Sequence, residues 1–147
     1  MRVRPELSKK NSLYISKHAF YTAYHFALQY PEWKGMYAEM IGQAQKAVDY
    51  DDMPKGNSTG DPTSRIAMRT YILGNRIRTV ESIAQIAGQD MWEYLLFGVT
   101  HDGVTFNYLK SPRSPLGIIP CERGKYYQMR RLFYYLLSQR LEDAELK

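Results

Sequence analysis

The stretch whose reading decides the fold is CERGKYYQMRRLFYYLLSQRL, residues 121–141. It contains no proline, and its apolar residues do not alternate as a strand's would. Tyr126, Met129, Phe133, Leu136, Leu137 and Arg140 recur every three or four residues, with Leu132 beside them, which predicts a helix with one side turned inward. Roughly twenty residues at 1.5 Å each make that helix about 30 Å long. Arg123, Lys125, Arg130 and Arg131 crowd its first half, on or beside the opposite side. Cations there work against the helix dipole, which favours acids at an N-terminus, so helix stability alone does not explain them; a face that reads nucleic acid and a solvated basic face on a core helix are the two readings.

Upstream, PRSPLGIIP (112–120) holds three prolines and is excluded from regular helix. VTFNYLKS (104–111) and DMWEYLLFGVT (90–100) are expected as short helices, the latter capped by Asp90, with a turn at His101, Asp102 and Gly103 between them. Residues 90–141 therefore predict a helix-turn-helix-like three-helix unit. The connection at 111–120 is longer than the usual turn of about three or four residues.

Before it, PTSRIAMRTYILGNRIRTVESIAQIAG (62–88) predicts a long helix, with Asp61 as cap and Pro62 in the first turn, where a missing N–H costs nothing. Ile66, Leu73, Val80 and Ala87 fall seven apart, as do Thr70, Ile77 and Ala84, the spacing of a short coiled-coil seam. Packing inside the bundle is the favoured use of that seam; self-association through Ile66, Leu73, Ile77 and Val80 is the alternative. DYDDMPKGNSTGD (49–61) is the clearest loop. Residues 12–48 predict an N-terminal helical pair: one helix over 12–30, with Tyr14, Tyr21, Tyr24 and Leu28 on its apolar side and Phe20 and Ala27 close beside them, and a second from Pro31 with Trp33, Tyr37, Met40, Ile41 and Ala44 on one side. With no alternating strand run, the expectation is an all-α fold, a single small helical bundle over residues 1–147.

The 147 residues are long enough to bury a core, and 44% apolar with 24% charged is an ordinary globular balance. No stretch reaches the roughly 18 uncharged apolar residues of a membrane span, and MRVRPELSKK has no hydrophobic signal region, which predicts a cytoplasmic protein. One cysteine and three scattered histidines fit no zinc spacing, and neither a metal nor a cofactor is expected. The net charge of +5 is unevenly placed. Residues 1–17 carry five basic side chains against one acid, and residues 110–140 carry seven against one. Two basic blocks of this kind predict a face that meets a polyanion, since neutralising phosphates releases condensed counterions.

On a helix that enters a DNA groove by its N-terminal half, Arg123 and Arg130 suit guanine edges, Lys125 a phosphate and Gln128 adenine or phosphate. Arg131 and the Tyr126 hydroxyl suit the backbone, and Lys110 and Arg113 on the preceding connection complete the candidate DNA-contacting set. Tyr126 and Tyr127 beside arginines also fit a tyrosine nucleophile, but no set of further catalytic residues accompanies them, and no enzyme is expected. Gly56–Gly60 lacks the Lys and Ser/Thr of a phosphate-binding loop.

The strings LQYPEWK (28–34), YDDMPKGNSTGDPTSRIAMR (50–69), GVTFNYLK (103–110) and IPCERGKYYQMRRLFYYLLSQRL (119–141) resemble small proteins of prophages and mobile elements of Firmicutes, relatives of the RinA and ArpU families of phage transcriptional regulators. The resemblance covers most of the chain. It implies a transcription regulator that binds double-stranded DNA through a C-terminal region similar to the region 4 helix-turn-helix of sigma factors, with 121–137 in the position of the recognition helix; RNA polymerase is a partner to be considered, above all in the alternative reading. The alternative is a helical protein-protein module of phage or mobile-element machinery, an adaptor or small-terminase-like subunit without direct DNA contact.

Overall fold

The computed structural model describes residues 9–49 and 62–145, and every regular element among them is helical. In chain order these are α1 (Lys17–Leu28), α2 (Tyr30–Asp49), α3 (Pro62–Gly88), a 3-10 turn (Gln89–Met91), α4 (Trp92–Thr100), α5 (Phe106–Leu109) and α6 (Arg123–Glu145). The protein is a small all-α bundle. The loop expected at 49–61 and its Asp61 cap lie outside the described residues, Asp49 excepted, which ends α2. No helix of the described residues is long and apolar enough to cross a membrane.

By contacts the chain divides into two compact units, one of Met1–Gln29 with Thr79–Lys147 and the other of Tyr30–Arg78. In the first, α6 packs on α1 and α4, and α5 on α4. The first helix starts later than its apolar pattern predicts. The Asn11 side chain accepts the Leu13 N–H at 3.0 Å and its carbonyl the Tyr14 N–H at 3.1 Å, which holds these residues in a turn. Ser16 then caps α1, its hydroxyl accepting the Ala19 N–H at 3.2 Å. The buried stripe is Phe20, Ala23 and Ala27, one step round from the tyrosine stripe expected; Tyr21, Tyr24 and Leu28 are half-buried and Tyr14 exposed. The two alanines leave room for the edge of Tyr134 from α6 to meet Phe20, with ring centroids 5.0 Å apart at 68°. Tyr24 instead donates its hydroxyl to Asp102 Oδ1 at 2.8 Å, fastening α1 to the turn after α4.

The inward side of α6 is Tyr126, Met129, Phe133, Tyr134, Leu137 and Ser138; Leu132 and Leu136 are half-buried, and Arg140 is exposed rather than inward. Tyr126 is fully buried because α4 presents Gly98 to it: a Cβ on Gly98 would collide with the Tyr126 hydroxyl oxygen. Asp90 does not cap α4; it lies in the 3-10 turn, and Met91 precedes α4 with no side-chain cap bond.

In the second unit, α2 begins at Tyr30 with Pro31 in its first turn, and Gln29 closes α1 by giving its N–H to Phe26 O at 3.2 Å. Pro31 has no N–H to extend the α1 ladder, so the chain must restart there. Trp33 is buried, with the Arg76 guanidinium 5.6 Å from its ring centroid. Leu73, Ile77 and Val80 are 5%, 6% and 0% exposed within this chain, and Ile66 is half-buried. Leu73, Ile77 and Val80 are thus covered within the protein's own fold, the use of the seam that its spacing favoured.

Candidate nucleic-acid interface

At 100° per residue the cations of α6 fall on two faces rather than one. Lys125, Gln128 and Arg131 lie three apart on one side. Arg123 and Arg130 lie seven apart on another, in one stripe with Tyr127 and Tyr134, also seven apart. Each arginine covers the ring four residues ahead: Arg123 is 5.8 Å from the Tyr127 centroid and Arg130 5.4 Å from that of Tyr134. Since Tyr134 is fully buried, Arg130 is held half-buried, with its stem against the core, while Arg123 at the helix start is exposed.

The first face borders a groove of about 390 Å³. Lys125, Gln128, Met129, Arg131 and Leu132 form one wall, and Asn11, Ser12 and Leu13 with Ile86–Gln89 close it. Exposed Lys9 and Lys10 directly precede the wall residues Asn11–Leu13, and no Asp or Glu is among the described residues that line the groove. Gln89, at its rim, carries a left-handed φ of 49°, the one non-glycine among the described residues to do so.

The remaining expected contacts divide. Tyr126, with its side chain wholly buried, cannot offer its hydroxyl to a nucleic acid, and its place in the candidate set is corrected to core. Lys110 is a brace: its ammonium donates to the carbonyls of Ile119 and Cys121, each at 3.2 Å. Arg113 is exposed. Burial pushes the Cys121 thiol above its ordinary pKa, and the opposing pull of Lys110 and Lys125 shows that both charges lie near it. Glu122 gives its carbonyl to the Tyr126 N–H at 3.1 Å and so opens α6; no acid stands in the first helical turn. Arg123 and Lys125 thus add to the positive end of the helix dipole instead of cancelling it.

The three-helix unit consists of α4, α5 and α6, but α5 is a single turn of four residues and residues 110–122 separate it from α6. The scaffold behind α6 is α1 and α4. Sequence reasoning missed the groove's far wall, Asn11–Leu13 and Ile86–Gln89; the basic excess in residues 1–17 was the one signal that pointed there. Comparison with protein-family models, with curated proteins and with solved structures finds no match, so the chemistry of this surface carries the functional reading.

Proposed function

We propose that the protein binds double-stranded DNA along the groove between its N-terminal segment and α6, as a cytoplasmic, phage-type transcription regulator. The observation that carries this reading is a groove with Lys125 and Arg131 of α6 on one wall and Asn11–Leu13, directly after exposed Lys9 and Lys10, on another, and no acid among its described lining residues. Lys125 and Arg131 supply phosphate contacts, Gln128 between them has both a donor and an acceptor for a base edge, and Lys9 and Lys10 extend the positive path. Arg123 continues it past the helix start. The resemblance to RinA- and ArpU-type regulators agrees with this class of function. In this reading the N-terminal segment replaces the compact turn of a standard helix-turn-helix as the neighbour of the reading helix.

The test is fluorescence anisotropy on random duplex DNA across a salt series. Wild type is expected to bind with a steep inverse salt dependence. Lys125→Gln with Arg131→Gln should make the slope of log K against log salt shallower by about two, because two phosphates then keep their condensed counterions. Helical circular dichroism should be unchanged. Absence of binding at low salt, or an unaltered slope in the double variant, would sink the reading.

A second reading is favoured by a different observation. On α3, Met68, Tyr71 and Ile72 are 61%, 63% and 41% exposed at three-and-four spacing, an apolar stripe on the solvent side of a helix. A helical adaptor without DNA contact, with RNA polymerase or a phage component as partner, would use such a stripe.

A further inference from the structure

Residues 112–120 carry two exposed aliphatic side chains, Leu116 (38% exposed) and Ile118 (56%), on a segment whose main chain is fixed to the body of its unit. The Tyr108 hydroxyl donates to the Arg113 carbonyl and the Tyr94 hydroxyl to the Leu116 carbonyl, both at 3.2 Å. Lys110 binds the carbonyls of Ile119 and Cys121 at the far end. Ile119 is fully buried and gives its N–H to the Leu109 carbonyl at 3.0 Å. Between these anchors a tight turn is closed by the Gly117 N–H on the Ser114 carbonyl at 3.1 Å, with Gly117 at φ +84°. A segment tied at so many carbonyls, and shortened in conformational freedom by three prolines, has little room to fold its tip inward. Leu116 and Ile118 stay in water by construction, pre-organised before any partner arrives.

Their surroundings indicate the partner. Arg113 lies on the same segment, and Arg123 and Lys125 begin the helix that follows it; all three are exposed, with Glu122 the one acid in that run. Lys125 also lines the groove assigned above to DNA, and it stands near Cys121, where the segment ends. Exposed apolar tips on a segment flanked in sequence by exposed cations match a duplex, whose minor groove has phosphates on both lips and stacked base edges at its floor. We propose that Leu116 and Ile118 are a wedge that enters the minor groove, unstacks a base step and bends the DNA toward its major groove, while Arg113 and Arg123 neutralise the flanking phosphates. The wedge deepens the DNA-binding reading and rests on it. Unstacking is least costly at a flexible pyrimidine-purine step, so the wedge would also select where on the duplex the protein settles.

The experiment uses the full chain and a short duplex with a central TA step and a dye at each end, reading anisotropy for binding and energy transfer for bending in one titration. Wild type is expected to raise energy transfer as it binds. Leu116→Ala with Ile118→Ala should lose most of that rise while its affinity falls less than about tenfold and its salt slope holds, because the phosphate contacts remain. Leu116→Met with Ile118→Met, which keeps apolar tips, should restore the rise. Binding by wild type without any change in energy transfer, or a rise that survives the alanine pair, overturns the wedge and leaves the DNA reading standing. No binding by wild type at low salt overturns both, and the exposed tips then belong to a protein contact.

Discussion

Tyr126 shows how one residue can satisfy two incompatible readings. It sits at the three-and-four spacing of an inward position and beside the basic residues of a DNA-reading face, so the sequence alone admits both a core ring and a phosphate contact. What settles its place is Gly98, on a different helix, whose missing side chain leaves space for the phenol. No periodicity within α6 contains that information. Gly98→Ala should therefore lower stability by about 1–3 kcal/mol through overpacking. The atom struck is the Tyr126 hydroxyl oxygen, so the same change in a Tyr126→Phe background should cost clearly less. Thermal melts of the two single variants and the double variant give the coupling between the sites. Strictly additive losses would mean that the close approach of these two residues is not what the glycine is for.

At the scale of elements, existence and type were legible and edges only in part. The start of α3 at Pro62 was legible because proline in a first turn is a local signal, and the start of α6 within two residues of the quoted stretch for the same kind of reason. The start of α1 was obscured because Asn11 draws the backbone into a turn that an apolar pattern does not register. The groove was not legible at all: its walls come from three places in the chain, and only the charge excess of residues 1–17 hinted at their meeting. The junction after α3 is a similar case. Gly88, in the position where a left-handed residue usually ends a helix, has φ −95°. It is small for a different reason, since a Cβ there would come within 3.2 Å of Trp92 Cβ and 3.3 Å of Leu95 Cδ2. The left-handed turn passes to Gln89, whose Cβ is strained by it. Gln89→Gly should raise stability by about 0.5–1 kcal/mol, seen as a higher melting temperature, whereas Gln89→Ala, which keeps the Cβ, should bring no gain. Equal effects of the two substitutions would show that the backbone there is not strained.

The molecule as a whole is built on a helix whose two ends have different surroundings. Thr79 begins the part of α3 that belongs with α1, α4, α5 and α6, and there Val80, Ile83, Ala84 and Ala87 are buried in every turn. The part before it belongs with α2, and from Thr63 to Ile72 it buries no side chain fully, while Met68, Tyr71 and Ile72 stay exposed. Local stability follows buried apolar contact, so opening free energy should change along a single continuous run of helical hydrogen bonds. Native-state hydrogen exchange can read this directly, amide by amide. The amides from Val80 to Ala87 should exchange as slowly as those of the buried turns of α6 around Phe133 and Leu137, and those from Arg65 to Tyr71 should exchange much faster, with the step near Leu73 to Thr79. Protection that stays uniform from Arg65 to Ala87 would mean that α3 opens as one cooperative piece.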